Sequence, residues 1–350
     1  MVEQQENFAR LATSRRAVVT GLAALSAGLA LPIGATGAAA SAHKHLRIDV
    51  HHHFVPDEVV GNRYIVPPLK SWSLQKSLED MERGGVTTAM LSVTPQVLTA
   101  LAQGGAATPA HYRRANEFAA KLVTDHPGRY GLFAGIPITD PDAALKEIDY
   151  AFSSLKADGI GLFTSYGNRW LGHHDFDPVF AELNRRKAVV YTHPTVAPCC
   201  VHIVPDLNDS EIEYGTDTSR ALANFVFTGS SSRYPDLRLI WSHGGGTIPF
   251  LIARFTKGTH PGSRLSKVLP QGFMPEFNRF YFDIAQIAKR PPLLALQAVA
   301  PKGHILFGTD FPYLTAVEHV AGLKDAHVFS AKELHGIDTA ATALIPRLAS

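Results

Sequence analysis

RIDVHHHFVP, residues Arg47 to Pro56, sets three consecutive histidines at the end of an apolar run. Read as a strand of period two, Leu46, Ile48, Val50 and His52 share one face, and Arg47, Asp49, His51 and His53 share the other. The first set has the composition of a packing face. The second brings two imidazoles and a carboxylate onto one surface. His51 and His53 are therefore the candidate pair, at the i and i+2 spacing with which a strand presents two ligands to one metal ion. His52 belongs to the packing side. Such a pair needs further ligands, and the way they recur along the chain decides the fold.

After Ala42 the sequence repeats a short apolar run, a loop and an amphipathic stretch. The runs expected as strands are Leu46–Val50, Thr87–Val93, Gly131–Ile136, Gly159–Phe163, Ala188–Tyr191, Leu237–Trp241, Phe280–Ile284 and Ile305–Phe307. Between them, Arg114–Asp125 and Pro178–Arg186 show apolar residues at three-and-four spacing, and Pro141-Asp142 and Asp177-Pro178 carry helix-start signals. Eight strands alternating with helices over about 300 residues predict an α/β protein, a single-domain (β/α)8 TIM barrel spanning residues 43–350. A doubly wound sheet is the competing architecture, but no G-x-G-x-x-G follows the first strand, so dinucleotide binding has no support.

Composition narrows the function. A formal net charge of +2 over 350 residues supplies no basic field for nucleic acid. The two cysteines, Cys199 and Cys200, are neighbours; this is neither a zinc-ligand spacing nor a disulfide framework, and they are expected as small buried thiols. Residues 1–42 read as an export signal. Ser14-Arg15-Arg16 precedes the weakly apolar stretch Ala17–Ala30, and Ala40-Ser41-Ala42 offers a cleavage site. The paired arginines indicate the twin-arginine route, so the mature chain is expected to be periplasmic or secreted rather than cytoplasmic. The fourteen apolar residues fall short of the roughly twenty that span a bilayer, so no stable membrane anchor is expected.

Barrel enzymes place their chemistry at the carboxyl ends of the strands. Those ends carry His51 and His53 on the first strand, His193 on the fifth (THP), His243 on the sixth (SHGGG) and Asp310 on the eighth (GTDFP). Three imidazoles and one carboxylate suit Zn²⁺, with Mn²⁺ the alternative, and leave a position for water or substrate. Gly244, Gly245 and Gly246 would let the backbone pass close to the metal or ligand. The fourth strand ends in Phe163-Thr164-Ser165, without a Lys or Glu to bridge a second ion, so one metal is expected.

IDVHHHFVP, HPT, SHGGGTIPF and FGTDFP at these separations resemble the amidohydrolase superfamily, in its aminocarboxymuconate-semialdehyde decarboxylase-like branch. The likeness runs from about Arg47 to the last helix. YGNRWLGHHDFDPVFAELNRRKAVVYTHPT is most similar to sequences of the 6-methylsalicylate decarboxylase type. The resemblance implies that His51, His53, His193 and Asp310 are metal ligands and that His243 is catalytic. It implies a non-oxidative decarboxylase of an ortho-hydroxybenzoate-like acid; a mononuclear hydrolase of a lactone, ester or amide is the alternative in the same superfamily, and a non-catalytic metal-binding protein a third reading. The chain departs from the branch near its end, where it carries Ile337-Asp338-Thr339-Ala340.

In the decarboxylase reading either His243 or Asp310 delivers a proton to the ring. Asp283, at the end of the seventh strand, would orient His243 or cap a helix. Tyr166, Asn168, Arg169 and Trp170 would wall the substrate pocket; Arg169 could pair with a carboxylate, though a solvated loop arginine is the preferred reading, while His173 and His174 are surface residues. A small aromatic acid and a second copy in a homodimer are the expected partners.

Overall fold

The computed structural model describes residues 46–349; the export signal assigned to residues 1–42 lies outside them. Eight parallel strands follow one another around the sheet in chain order. They are β1 (Ile48–His53), β2 (Thr88–Ser92), β3 (Tyr130–Gly135), β4 (Gly159–Phe163), β5 (Val189–His193), β6 (Arg238–Trp241), β7 (Tyr281–Asp283) and β8 (Ile305–Leu306). The ring closes because Val50 N–H donates to Phe307 O (3.0 Å), Asp310 N–H to His51 O (2.8 Å) and His53 N–H to Phe311 O (2.9 Å). The helices that alternate with the strands are α1 (Leu74–Gly84), α2 (Pro95–Leu101), α3 (Pro109–Asp125), α4 (Pro141–Ser153), α5 (Asp177–Arg185), α6 (Asp209–Phe227), α7 (Ile248–Gly258), α8 (Arg290–Val299), α9 (Ala316–Ala326) and α10 (Ala331–Thr339). The expected (β/α)8 barrel is the observed one. Among the described residues no helix is long and apolar enough to cross a membrane.

The start signals act as the sequence suggests. Asp140 accepts from Ala143 N–H at 3.1 Å ahead of Pro141, and α5 begins at Asp177 with Pro178 in its first turn; at α1, not among the expected starts, Ser73 accepts from Lys76 N–H at 3.2 Å. Asp140 and Ser73 each satisfy a backbone donor that a helix start otherwise leaves unpaired. Two apolar layers result. One lies between strands and helices; the other fills the barrel itself with Ile48, Val50, Met90, Phe133, Tyr191 and Ile240 among others. Leu344, Ile345 and Leu348 join that inner layer. The C-terminal segment is also tied to β1: Arg47 Nε lies 2.6 Å from Asp338 Oδ1, and Phe307 N–H donates to Ile337 O. The departure at residues 337–340 is thus a packed feature of this barrel.

The alternation expected for β1 needs a correction. Its pairing with β2 shifts between Asp49 and His52, so three residues on β1 span two on β2. Such a bulge breaks the period-two phase. Ile48 and Val50 consequently join the barrel interior, where His51 also meets the Tyr191 ring at 5.2 Å. Asp49 instead falls beside His52. The inward pair His51 and His53 survives, but Asp49 does not share their face.

Candidate metal centre

His51 and His53 on β1, His193 at the end of β5 and Asp310 after β8 come together at the carboxyl end of the barrel, all buried. Each offers a donor atom within 4.8 Å of the other three, so the group could hold one metal ion. The ring centroids of His51, His53 and His193 are 4.8–5.3 Å apart. Second contacts set which nitrogen faces inward. His51 Nδ1 lies 3.0 Å from Asp283 Oδ2, His53 Nδ1 lies 3.1 Å from Ser92 O, and His193 Nδ1 lies 2.8 Å from Pro194 O. Carboxylate and carbonyl oxygens only accept, so each Nδ1 carries a hydrogen, and Nε2 is the nitrogen each ring turns toward the other members of the group. His193 Nε2 is buried with no hydrogen-bond partner of its own, while His51 Nε2 and His53 Nε2 lie 3.2 and 2.9 Å from Asp310 Oδ1. Buried polar atoms are rarely left unpaired, and convergent bare imidazole nitrogens beside a carboxylate are the donor set of a divalent ion.

Electrostatics point the same way. Burial disfavours a charged His51, but the Asp283 and Asp310 carboxylates outweigh it and push its pKa up to about 10. Burial lowers His53, and lowers His193 well below the ordinary histidine value. Burial also opposes ionisation of Asp310, yet the surrounding imidazoles, His51 foremost, hold its carboxyl well below the usual carboxylate range. A cluster that keeps one imidazole protonated against burial is one that draws positive charge. A divalent ion answers that demand.

His243 sits beside the group. Its ring stacks on His51 at 5.1 Å, nearly parallel, and its Nε2 is 3.5 Å from Asp310 Oδ2. Asp283 Oδ1 accepts from His243 N–H at 2.9 Å and from Ala285 N–H at 3.1 Å. Asp283 thus fixes the backbone of His243 and caps the following turn, while its other oxygen orients the imidazole of His51. His243 and Asp310 both have left-handed backbones, φ 52° and 65°, a conformation that non-glycine residues hold mainly where function or tight surroundings require it. The three glycines after His243 serve protein packing rather than approach to a ligand. All have positive φ, and a Cβ on Gly246 would lie 2.1 Å from Gly215 O.

His52 leaves the cluster, as expected of the packing side. Its Nδ1 meets Asp49 Oδ2 at 3.0 Å, its Nε2 meets Ser77 Oγ at 2.8 Å, and its ring stacks on Phe311. The four residues expected to wall the pocket lie in a short hairpin, Ser165–Tyr166 paired with Arg169–Trp170, and their contacts are internal. Tyr166 Oη accepts from Phe163 N–H, Trp170 Nε1 donates to Asp217, Arg169 pairs with Asp175 at 2.7 Å, and Asn168 is exposed. Arg169 is a partly exposed loop arginine paired with Asp175, in keeping with the solvated loop residue preferred from the sequence. His173 and His174 lie at the surface as expected, half-buried and exposed. Thr164 and Ser165, where a bridging residue would stand, both bond to Asp217.

Other aromatic residues approach the centre. Tyr313 meets the His53 ring edge-on at 6.2 Å, and Tyr214 meets the His193 ring at 5.9 Å. Tyr214 also borders a cavity of about 280 Å³ with Tyr64, Gln96 and Thr195. Neither tyrosine carries a motif, and only the fold reveals them. The cysteines require a correction as well. Cys199 and Cys200 form a disulfide between chain neighbours, with Cys199 exposed, so they are not buried thiols.

Comparison with known proteins follows the same line. The amidohydrolase family model matches residues 48–337. The chain is 38% identical over 285 residues to decarboxylase yanB of Aspergillus niger, covering 76% of this chain and 77% of that protein. It is 36% identical over 327 residues to the 6-methylsalicylic acid decarboxylase of Penicillium expansum, covering 86% and 97%. Among solved structures, 5-carboxyvanillate decarboxylase of Novosphingobium aromaticivorans, complexed with manganese and a nitrobenzoic acid, superposes with a TM-score of 0.74 at 20% identity, covering 87% of this chain and 97% of that one. That last likeness concerns the fold.

Proposed function

The chain belongs to the amidohydrolase family, and from that premise we propose that it is a divalent-metal-dependent, non-oxidative decarboxylase of an ortho-hydroxybenzoate, with 6-methylsalicylate the substrate to test first. One observation carries the reading: three buried imidazoles with their Nδ1 positions spent on acceptors turn their Nε2 atoms toward Asp310, with His243 alongside. The names of relatives above 30% identity, a decarboxylase and a 6-methylsalicylic acid decarboxylase, support it. His51, His53, His193 and Asp310 would hold a single ion; the three-histidine donor set favours Zn²⁺, and Mn²⁺ is the ion in the similar carboxyvanillate enzyme. When bound, that ion supplies positive charge to the phenolate and carboxylate oxygens of the substrate.

The protein's own groups perform the proton chemistry. A proton is added to the ring carbon that bears the carboxylate, the carbon–carboxylate bond breaks, its electron pair restores the aromatic ring, and CO2 leaves. No net oxidation occurs. His243 is positioned to deliver the proton, with its Nε2 3.5 Å from Asp310 Oδ2. Tyr214 and Tyr313 supply apolar ring faces beside the centre and form the walls in place of the hairpin. Purified chain loaded with Zn²⁺ or Mn²⁺ is expected to release CO2 from 6-methylsalicylate without oxygen, pyridoxal phosphate or a nicotinamide. Headspace CO2 and acid production, followed together against phenolic acids and small lactones, decide the matter: lactone hydrolysis with no CO2 from any phenolic acid would overturn the decarboxylase and install the hydrolase.

We further propose export through the twin-arginine route with cleavage near Ala42. The support is in the sequence: paired arginines, a short weakly apolar stretch and a small-residue cleavage site in that order. Replacing Arg15 and Arg16 with lysine should retain the precursor in the cytoplasm, as seen by fractionation and immunoblotting. Mature protein outside the cytoplasm that still carries residues 1–42 would count against a cleaved signal.

A further inference from the structure

The two oxygens of Asp310 have different surroundings. Oδ1 faces the ligand imidazoles, 2.9 Å from His53 Nε2 and 3.2 Å from His51 Nε2. Oδ2 faces away from them, 3.5 Å from His243 Nε2 and 2.9 Å from Gln286 Nε2. A carboxylate bonded to its metal through one oxygen can turn about its last torsion, which is broad and roughly two-fold. Something must hold the other oxygen. The closer of its two neighbours is the side-chain amide of Gln286, and an amide donor fixes direction without adding charge.

Gln286 is itself held firmly. Its backbone is left-handed, φ 62°, an unfavourable state for a side chain of this kind. Its N–H donates to His319 Nε2 at 3.2 Å, and His319 Nδ1 lies 3.0 Å from Thr315 O. The Thr315 carbonyl only accepts, so His319 carries its hydrogen on Nδ1 and accepts at Nε2. Thr315 in turn caps α9 through a reciprocal bond pair with Glu318. Close packing locks the other side, since a Cβ on Gly322 of α9 would lie 2.3 Å from Ala288 O. A chain of bonds therefore runs from the start of α9 through His319 and Gln286 to the carboxylate.

We propose that Gln286 is the positioning residue of the metal centre: it fixes the rotation of Asp310 so that Oδ1 serves the ion and Oδ2 stays beside His243. This rests on the reading of Asp310 as a ligand. Gln286→Met removes the donor at nearly constant length and leaves the pocket filled. Gln286→Asn keeps an amide and tolerates positive φ, but is one methylene shorter.

The experiment measures Zn²⁺ and Mn²⁺ affinity by competition with a chromophoric chelator, the melting temperature of the metal-free chain, and kcat and KM on the substrate of the unsubstituted enzyme. The expected result for Gln286→Met is metal affinity or kcat lower by about 10–100-fold, the usual scale for a group that orients a ligand, with KM little changed. Gln286→Asn should show the same losses. A melting temperature that falls while metal affinity and kcat of the folded protein stay unchanged would reduce Gln286 to a packing residue. Should Gln286→Met fail to fold, Gln286→Asn decides: unchanged affinity and kcat in that variant overturn the proposal. An unsubstituted chain that binds neither ion would remove the metal reading and this inference with it.

Discussion

His193→Ala is expected to strip the divalent ion from an otherwise folded protein. The side chain makes one conventional bond, from Nδ1 to the carbonyl of Pro194, and its Nε2 has no other partner. Its loss therefore removes a ligand while breaking little else. Disturbing a mere orienting group already costs roughly 10–100-fold in metal affinity, so loss of a ligand should cost at least as much, and elemental analysis after gel filtration should find the ion well below one per chain. His51→Ala should lose it too, with a second penalty: Asp283 Oδ2 would be left buried without its imidazole partner. His52→Ala is the control. It should keep the metal and lose stability by about 1–3 kcal/mol, because Asp49 and Ser77 each lose a buried partner. Metal lost from the His52 variant and retained by the His193 variant would mean that the converging Nε2 atoms are not the binding set.

The second large effect is on turnover. His243→Ala should retain its metal, since the other four donors are intact, and lose about a hundredfold or more in kcat, the scale of a general acid. The backbone at this position has φ 52°, so alanine introduces strain as well as removing the imidazole. His243→Asn separates the two, because asparagine tolerates the left-handed region. Both variants should show the same deep loss of kcat with metal content unchanged. Turnover near that of the unsubstituted enzyme in either would take His243 out of the mechanism and leave Asp310 as the proton donor to test.

Most of the barrel and the composition of its centre were legible before any coordinate. Seven of the eight apolar runs fall within two residues of the observed strands, because a buried parallel strand must be continuously apolar; β1 alone runs three residues further, through the histidines to His53. His51, His53, His193, His243 and Asp310 were readable for a related reason. Each stands where such a run stops and polar chemistry begins, and a parallel barrel sends all those ends to one rim. Spacing alone could not reveal the phase of β1. Period two paired Asp49 with His51, whereas the bulge moved it to His52, and a bulge is settled by the neighbouring strand's register rather than by the bulged strand's residues.

The orienting contacts were legible only in part: the sequence set Asp283 at the rim beside His243, but not its bond to His51 nor the bond of Gln286 to Asp310. Asp283 meets His51 across 232 positions, and Gln286, in an unremarkable loop, meets Asp310 across 24. No local periodicity encodes a hydrogen bond between side chains on different loops. The same holds for the hairpin residues Tyr166, Arg169 and Trp170, whose polar groups found partners in Phe163, Asp175 and Asp217. By itself, then, the sequence determined which elements form and which donor atoms reach the rim, since both follow from burial and chain direction. Only the tertiary structure decided which nitrogen of each imidazole faces inward, which oxygen of Asp310 serves the ions' side, and which aromatic rings stand beside it. Those choices depend on distances of about 3 Å between segments far apart in the chain, and such distances exist only once the barrel has closed.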